Sequence, residues 1–201
     1  MYALKFFEKA PGFNEQNFRD KLKEAINLIS QNQTLIAKRT LEIIATNKVT
    51  IQSFFELSQD HYLFLRKDIL EESHIRLPNR FPMGDLAVRM IESNLTGIIF
   101  NDRTMYINSM LCIDEMAKTL IHEISHHMNQ DVFHLDKKAT SHNSACYKEE
   151  IRAFTAEKIF EKNGHCILRS DVKKIHAKVA QLYPELNDPL ERTTGYIPTN
   201  Y

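Results

Sequence analysis

The sequence carries no surplus of charge: 26 lysines and arginines stand against 26 aspartates and glutamates. That absence argues against a polyanion as the main partner, because phosphate binding draws on a basic excess. Cysteine is scarce, three in 201 residues, and Cys112, Cys146 and Cys166 form no CxxC pair and no even framework. They read as reduced, packed thiols of a cytosol-like compartment. Glycine and proline number five and six, and no Gly- or Ser-rich linker, repeat or low-complexity stretch divides the chain. No apolar run nears the ~18 residues of a membrane span. Residues 1–9 lack the apolar core of a secretory signal. These absences predict one soluble domain over residues 1–201, with no nucleic-acid or membrane partner. It would be cytoplasmic, or delivered to a host cytosol without an ordinary signal peptide.

What is present is an ordinary globular composition, 43% hydrophobic, which excludes disordered, collagenous and coiled-coil chains. Nine histidines are more than such a chain needs. Phe18, Leu22, Ala25, Ile26 and Ile29, then Leu35, Ile36, Ile43 and Ile44, recur at helical spacing and predict two helices between about residues 14 and 46, broken at 30–33. Residues 50–70 fit short strands or helix equally. Two prolines and a glycine make 78–84 a loop, after which Asp85 is a candidate cap for a short helix to about Asn94. Residues 97–100 and 104–108 around a polar turn predict a hairpin. Ile113, Ala117, Leu120, Ile121, Ile124 and Met128 predict an amphipathic helix. A polar, irregular stretch is expected at 129–143. A second helix follows to Lys162, stopped by Asn163-Gly164. A last one spans about Asp171 to Leu182, and the tail after Asn187 reads as irregular. The parts are thus a mainly helical portion (1–95), a core (96–165), and a C-terminal helix with tail (166–201).

The chemistry concentrates in His122-Glu123-Ile124-Ser125-His126, an HExxH motif inside the predicted helix. Residues four apart on a helix differ by about 40° in azimuth, so both imidazoles leave one face. They can then occupy two corners of a tetrahedral zinc site. Glu123 lies about 100° round from His122, at the edge of such a site, where a general base is required. The bland alternative is a solvated helical face with incidental histidines. The strongly apolar opposite face and the preceding hairpin count against it.

A catalytic zinc needs a third protein ligand and one open position. Val132 stands where a metzincin would have its third histidine, and no glycine follows the motif. Asp136 is one candidate ligand. Glu149 and Glu150 on the second helix are the others, since a loop of about fifteen residues can return the chain across the metal.

The run from Thr119 to His127, followed by Glu150-Ile151-Arg152-Ala153, resembles the HExxH…ExxA arrangement of gluzincin metallopeptidases. Residues 103–109 are similar to the strand leading into the active-site helix of ImmA/IrrE-type regulatory peptidases. Glu149-Glu150-Ile151-Arg152 resembles the NleD-type bacterial effector proteases. The resemblance covers about residues 98–160. It implies one Zn²⁺ per chain held by His122, His126 and Glu150, with Glu123 as base.

Among the remaining residues, Tyr147 lies about a turn before Glu150 and is the candidate oxyanion donor, with His134, His142 and His165 as alternatives. Asp131 or Asp136 would orient a ligating imidazole, and His127 would serve beside the site or at the surface. His61, His74 and His176 read as surface groups. Tyr106, Ile107 and Asn108 read as an exposed edge strand that binds an extended peptide. The expectation is an α+β, zincin-like domain, mostly helical with a small sheet beside the HExxH helix. Its function would be zinc-dependent hydrolysis of a peptide bond in a protein substrate, as an endopeptidase of effector, toxin or regulatory type. The alternative is an inactive zincin-fold module that binds a protein partner.

Overall fold

The computed structural model describes residues 13–65 and 83–186. Of the loop expected at 78–84, residues 78–82 lie outside the described residues, as do His74 and the tail after Asn187, while Met83 and Gly84 are helical rather than loop. Two helices open the chain, α1 (Glu15–Ser30) and α2 (Leu35–Ala45). Asn14 and Thr34 start them by accepting the Asn17 and Ala37 N–H groups at 3.0 and 3.3 Å, each satisfying a donor the first turn leaves free. Phe18, Leu22, Ala25 and Ile29 form the buried stripe of α1, as their spacing predicts. The ambiguous segment after α2 resolves into a strand, β1 (Thr50–Ser53), one 3-10 turn at Phe54–Glu56, and a helical stretch over residues 59–65. Helix α3 (Met83–Glu92) follows. Asp85 lies inside its first turn rather than at its cap.

The expected hairpin forms from β2 (Gly97–Ile99) and β3 (Thr104–Ile107). Its position in the sheet differs from expectation. The strand order is β1-β3-β2. β3 pairs in parallel with β1, from Thr50↔Thr104 to Ser53↔Ile107, and antiparallel with β2. Tyr106, Ile107 and Asn108 are therefore not an exposed edge. Both flanks of β3 are paired and both faces covered, so Tyr106 and Ile107 are 0% exposed and Asn108 is 6% exposed. Met105 and Ile107 join the core beneath α1 and α2. Tyr106, pointing the other way, packs with Phe54, Leu57, Tyr62 and the α3 residues Leu86 and Met90. On the hairpin side, the strand without a further partner among the described residues is β2.

Helix α4 (Ile113–Met128) carries the HExxH residues and rests its apolar face on α1, α2 and β3 through Ala117, Leu120, Ile121 and Ile124. The segment expected to be irregular is instead helix α5 (Gln130–Ala139). It buries none of its residues fully and leaves Leu135 exposed, and its few apolar residues, Val132 and Phe133 among them, stand in a largely polar stretch. Helix α6 (His142–Glu161) is buried on several faces, including the polar Glu149 and Arg152. Gly164, at φ +86°, follows it in the left-handed conformation that glycine adopts most readily. Helix α7 (Arg169–Leu182) packs on α6. All three cysteines are free. Cys112 and Cys166 are exposed rather than packed, and Cys146 is half-buried. Among the described residues no helix is long and apolar enough to cross a membrane.

A central strand tolerates proline poorly, since the ring removes a ladder donor. Ile107→Pro is expected to destabilise the whole fold by several kcal/mol, read as a collapse of the thermal melting temperature by circular dichroism.

Candidate metal centre

One turn of α4 presents His122 and His126 on the same side, with ring centroids 4.9 Å apart. Helix α6 brings Glu150 against both. Glu150 Oε2 lies 3.5 Å from His122 Nε2 and Glu150 Oε1 lies 3.7 Å from His126 Nε2. These separations are long for hydrogen bonds. They approach the ~3.3 Å between corners of a tetrahedron whose bonds are ~2.0–2.1 Å. Glu150 Oε2 is buried and accepts no hydrogen bond, a costly state for a carboxylate oxygen that a cation would relieve. His122, His126 and Glu150 form the group that could hold a metal ion.

The far side of each ring is also held. His122 Nδ1 stands 2.6 Å from Glu157 Oε1, and His126 Nδ1 stands 3.2 Å from Glu149 Oε1. An N–H at Nδ1 donating to these carboxylates leaves each Nε2 facing Glu150, and loss of the Nε2 proton gives the tautomer a metal requires. Glu149 is held in turn by Arg152, whose Nε donates to Glu149 Oε2 at 2.9 Å. The same guanidinium reaches Asp136 Oδ2 at 2.7 and 2.8 Å. Arg152 is 2% exposed, and its ion pairs satisfy a buried charge that would otherwise be prohibitive.

Several expectations are thereby corrected. Of the three candidate third ligands, Glu150 faces the imidazoles. Glu149 serves behind His126 instead, and Asp136 is engaged by Arg152. Glu157 and Glu149, not Asp131 or Asp136, orient the rings. Tyr147 is 1% exposed among Ile175 and Val179 of α7, with its hydroxyl 3.0 Å from His176 Nδ1. Its hydroxyl meets His176. His176 is accordingly no surface group. Nor is His61, which stacks on Phe100 at 4.0 Å and meets Tyr106 Oη at 3.0 Å and Asp102 at 3.2 Å. His134 and His165 are exposed, and His142 lies beside Cys146 at 3.7 Å. The phenol that does reach the site is Tyr183, just past α7, which interacts with Glu150. It belongs to no motif and no helical spacing from the ligands. Glu157 was findable, since it follows Glu150 by two helical turns and so shares its face.

Burial by itself would lower His122, but Glu150, Glu157 and Glu123 outweigh it and the imidazole is pushed up to about 10. His126 is raised against its burial by Glu149 and Glu150. Burial would raise Glu150, yet the two histidines hold it below the usual carboxylate range. Glu123, 6% exposed, is raised, chiefly by burial. Burial, then Glu150 and Glu123, raise Tyr183 far above a free phenol, so its hydroxyl keeps its proton. The cluster lies between two cavities. One, about 430 Å³, is lined by His122, Glu123, Glu157, Leu182 and Tyr183. The other, about 330 Å³, is lined by His126, His127, Phe133 and Lys137. Strand β2 runs from the first to the second, and Gly97 packs so tightly on α4 that a Cβ there would come within 2.6 Å of Thr119 Cγ2 and 3.0 Å of Glu123 Oε1.

Comparison with protein-family models, with curated proteins and with solved structures yields no match.

The geometry sets an order of metal affinities. Glu150→Ala is expected to abolish binding of Co²⁺, read by its visible absorption. Glu157→Ala should weaken it about 10–100-fold, and Asp131→Ala should leave it unchanged.

Proposed function

We propose that the chain is a zinc-dependent endopeptidase of zincin type, with zinc held by His122, His126 and Glu150. The observation that carries this reading is the pair of imidazoles whose Nδ1 atoms are occupied by Glu157 and Glu149 while both Nε2 atoms turn to the Glu150 carboxylate, whose Oε2 has no hydrogen-bond partner. Two nitrogens and one carboxylate oxygen suit zinc at a catalytic site better than the all-oxygen shells of magnesium or calcium. Bound there, zinc supplies Lewis acidity that polarises a carbonyl and makes water a stronger acid.

Glu123 is the general base. Burial raises its carboxyl above the ordinary carboxylate range, which suits a group that must take a proton from the attacking water and hand it to the departing amine. Tyr183, protonated and interacting with Glu150, is the donor for the oxyanion that develops on the carbonyl. The substrate strand is assigned to β2. Phe100 N–H donates to Thr104 O and Asn108 N–H to Thr96 O, each at 2.9 Å. The alternating residues Gly97 and Ile99 therefore turn their main-chain groups away from β3, toward a side where no described strand pairs. An extended peptide laid there gains main-chain hydrogen bonds and passes Glu123, which abuts Gly97. Cavities on both sides of the metal centre suit a chain continuing in both directions, hence cleavage within a polypeptide.

Wild-type protein with one zinc per chain is expected to cut members of a random-sequence peptide pool, read by mass spectrometry. Glu123→Gln should keep the zinc and lose about two to four orders of magnitude in kcat, and Tyr183→Phe should lose about a hundredfold in kcat with its metal intact. Equal cutting by wild type and Glu123→Gln would refute the mechanism.

Ile99→Pro tests the strand assignment separately. It removes an outward N–H and no bond of the β2–β3 ladder, so the fold and zinc content should persist while KM rises severalfold. Unchanged KM would move the substrate elsewhere.

A further inference from the structure

The two cavities flanking the metal centre differ in charge. Around the His122 cavity each cation has a partner: Lys118 is 2.7 Å from Glu161, and Lys178 is 3.6 Å from Glu157 while capping the Phe154 ring at 3.9 Å. Glu115 there accepts the Cys112 N–H at 3.0 Å. The remaining walls mix Leu95, Leu111 and Leu182 with the uncharged polar Ser93, Asn94 and Thr119.

Around the His126 cavity the cations are unmatched. Lys137 of α5 lines it and makes no ion pair among the described residues. Arg103, in the hairpin turn, and Lys48, after α2, both lie near enough to act on His127 at its wall, and neither has a carboxylate partner among the described residues. The acidic groups on this side are committed elsewhere. Glu149 is held by Arg152 and His126, Asp136 by Arg152, and Asp102 by His61 and the Thr104 N–H. Asp131 shares α5 with Lys137 but projects ~120° away from it. In a chain whose total charge is zero, this is a local excess, and Phe100 and Phe133 give it apolar walls.

We propose that the His126 cavity is a subsite for an anionic side chain of the bound peptide, with Lys137 as its main counter-charge. This rests on the reading of β2 as the peptide-binding edge. The recognising chemistry is a carboxylate or a phosphate on an aliphatic stem, drawn in by Lys137 with Arg103 and Lys48 behind it. An exposed ion pair of this kind discriminates by a factor of roughly five, and salt screens it.

The test uses zinc-loaded Glu123→Gln protein, so that peptides are bound and not consumed. It is mixed with a random-sequence peptide pool, and retained peptides are sequenced by mass spectrometry. Asp and Glu should be enriched roughly fivefold over the pool at low salt, less at high salt, and not at all in the Glu123→Gln, Lys137→Glu double variant. A second pool containing phosphoserine separates the sources. Preferential retention of phosphoserine makes phosphate the better ligand, and its exclusion makes the subsite a carboxylate site. Retained peptides with the composition of the pool, enrichment that survives Lys137→Glu, or no retention at all would each overturn the proposal. Digestion of the same pool by wild type reports on the hydrolase reading alone. Acidic enrichment without any digestion would leave the subsite standing and remove the peptidase.

Discussion

Three carboxylates, Glu123, Glu150 and Glu157, crowd around the buried imidazole of His122, and the rest of the architecture answers to that concentration of negative charge. Carboxylates away from water are tolerable only when something positive sits among them. In the bare protein the histidine protons fill that place, which is why His122 is pushed up to about 10. A divalent ion supplies the same compensation with more charge in one spot, and must displace those protons to do so. The group of His122, His126 and Glu150 could hold such an ion.

Holding such a cluster demands a rigid frame, and the N-terminal half provides part of it. Phe18, Leu22 and Ile29 of α1 and Ile36 of α2 pack into one core with Leu120, Ile121 and Ile124 of α4, so the apolar face opposite the imidazoles is clamped. On the other flank α6 is the hub. It carries the candidate ligand Glu150, both carboxylates that steady the rings, and Arg152, which ties one of them to Asp136 on α5. Precision at the candidate metal centre therefore depends on contacts among five helices and the strand β3, most of them apolar and distant in sequence.

What could be read from the sequence was what local periodicity encodes. The spacing of His122 and His126, the apolar stripe of α4, the stop at Asn163-Gly164 and the hairpin turn are all relations between near neighbours. What escaped was non-local or unpatterned. Parallel pairing of β1 with β3 joins residues more than fifty positions apart, and no turn announces it. Yet the consecutive apolar run Met105-Tyr106-Ile107 is the signature of a strand covered on both faces, and it could have moved β3 from the edge to the centre. Helix α5 hides because it buries nothing fully. Tyr183 reaches Glu150 from beyond the end of α7, a tertiary meeting that no spacing rule foresees. Glu149 and Glu150, adjacent in sequence, take different places only because the helix turns Glu150 to the Nε2 side of both rings and Glu149 to the Nδ1 side of His126.

Gly97 couples the sheet to the helix through the smallest possible residue. With only hydrogen facing α4, the strand backbone settles directly against Thr119 and Glu123, so no adjustable side chain intervenes between them. Evolution could vary the neighbours on β2 to suit different partners, but this position is closed to diversification. Even one methyl would push the strand and the carboxylate apart. Lineages sharing this arrangement should thus retain glycine here while the rest of the rim drifts.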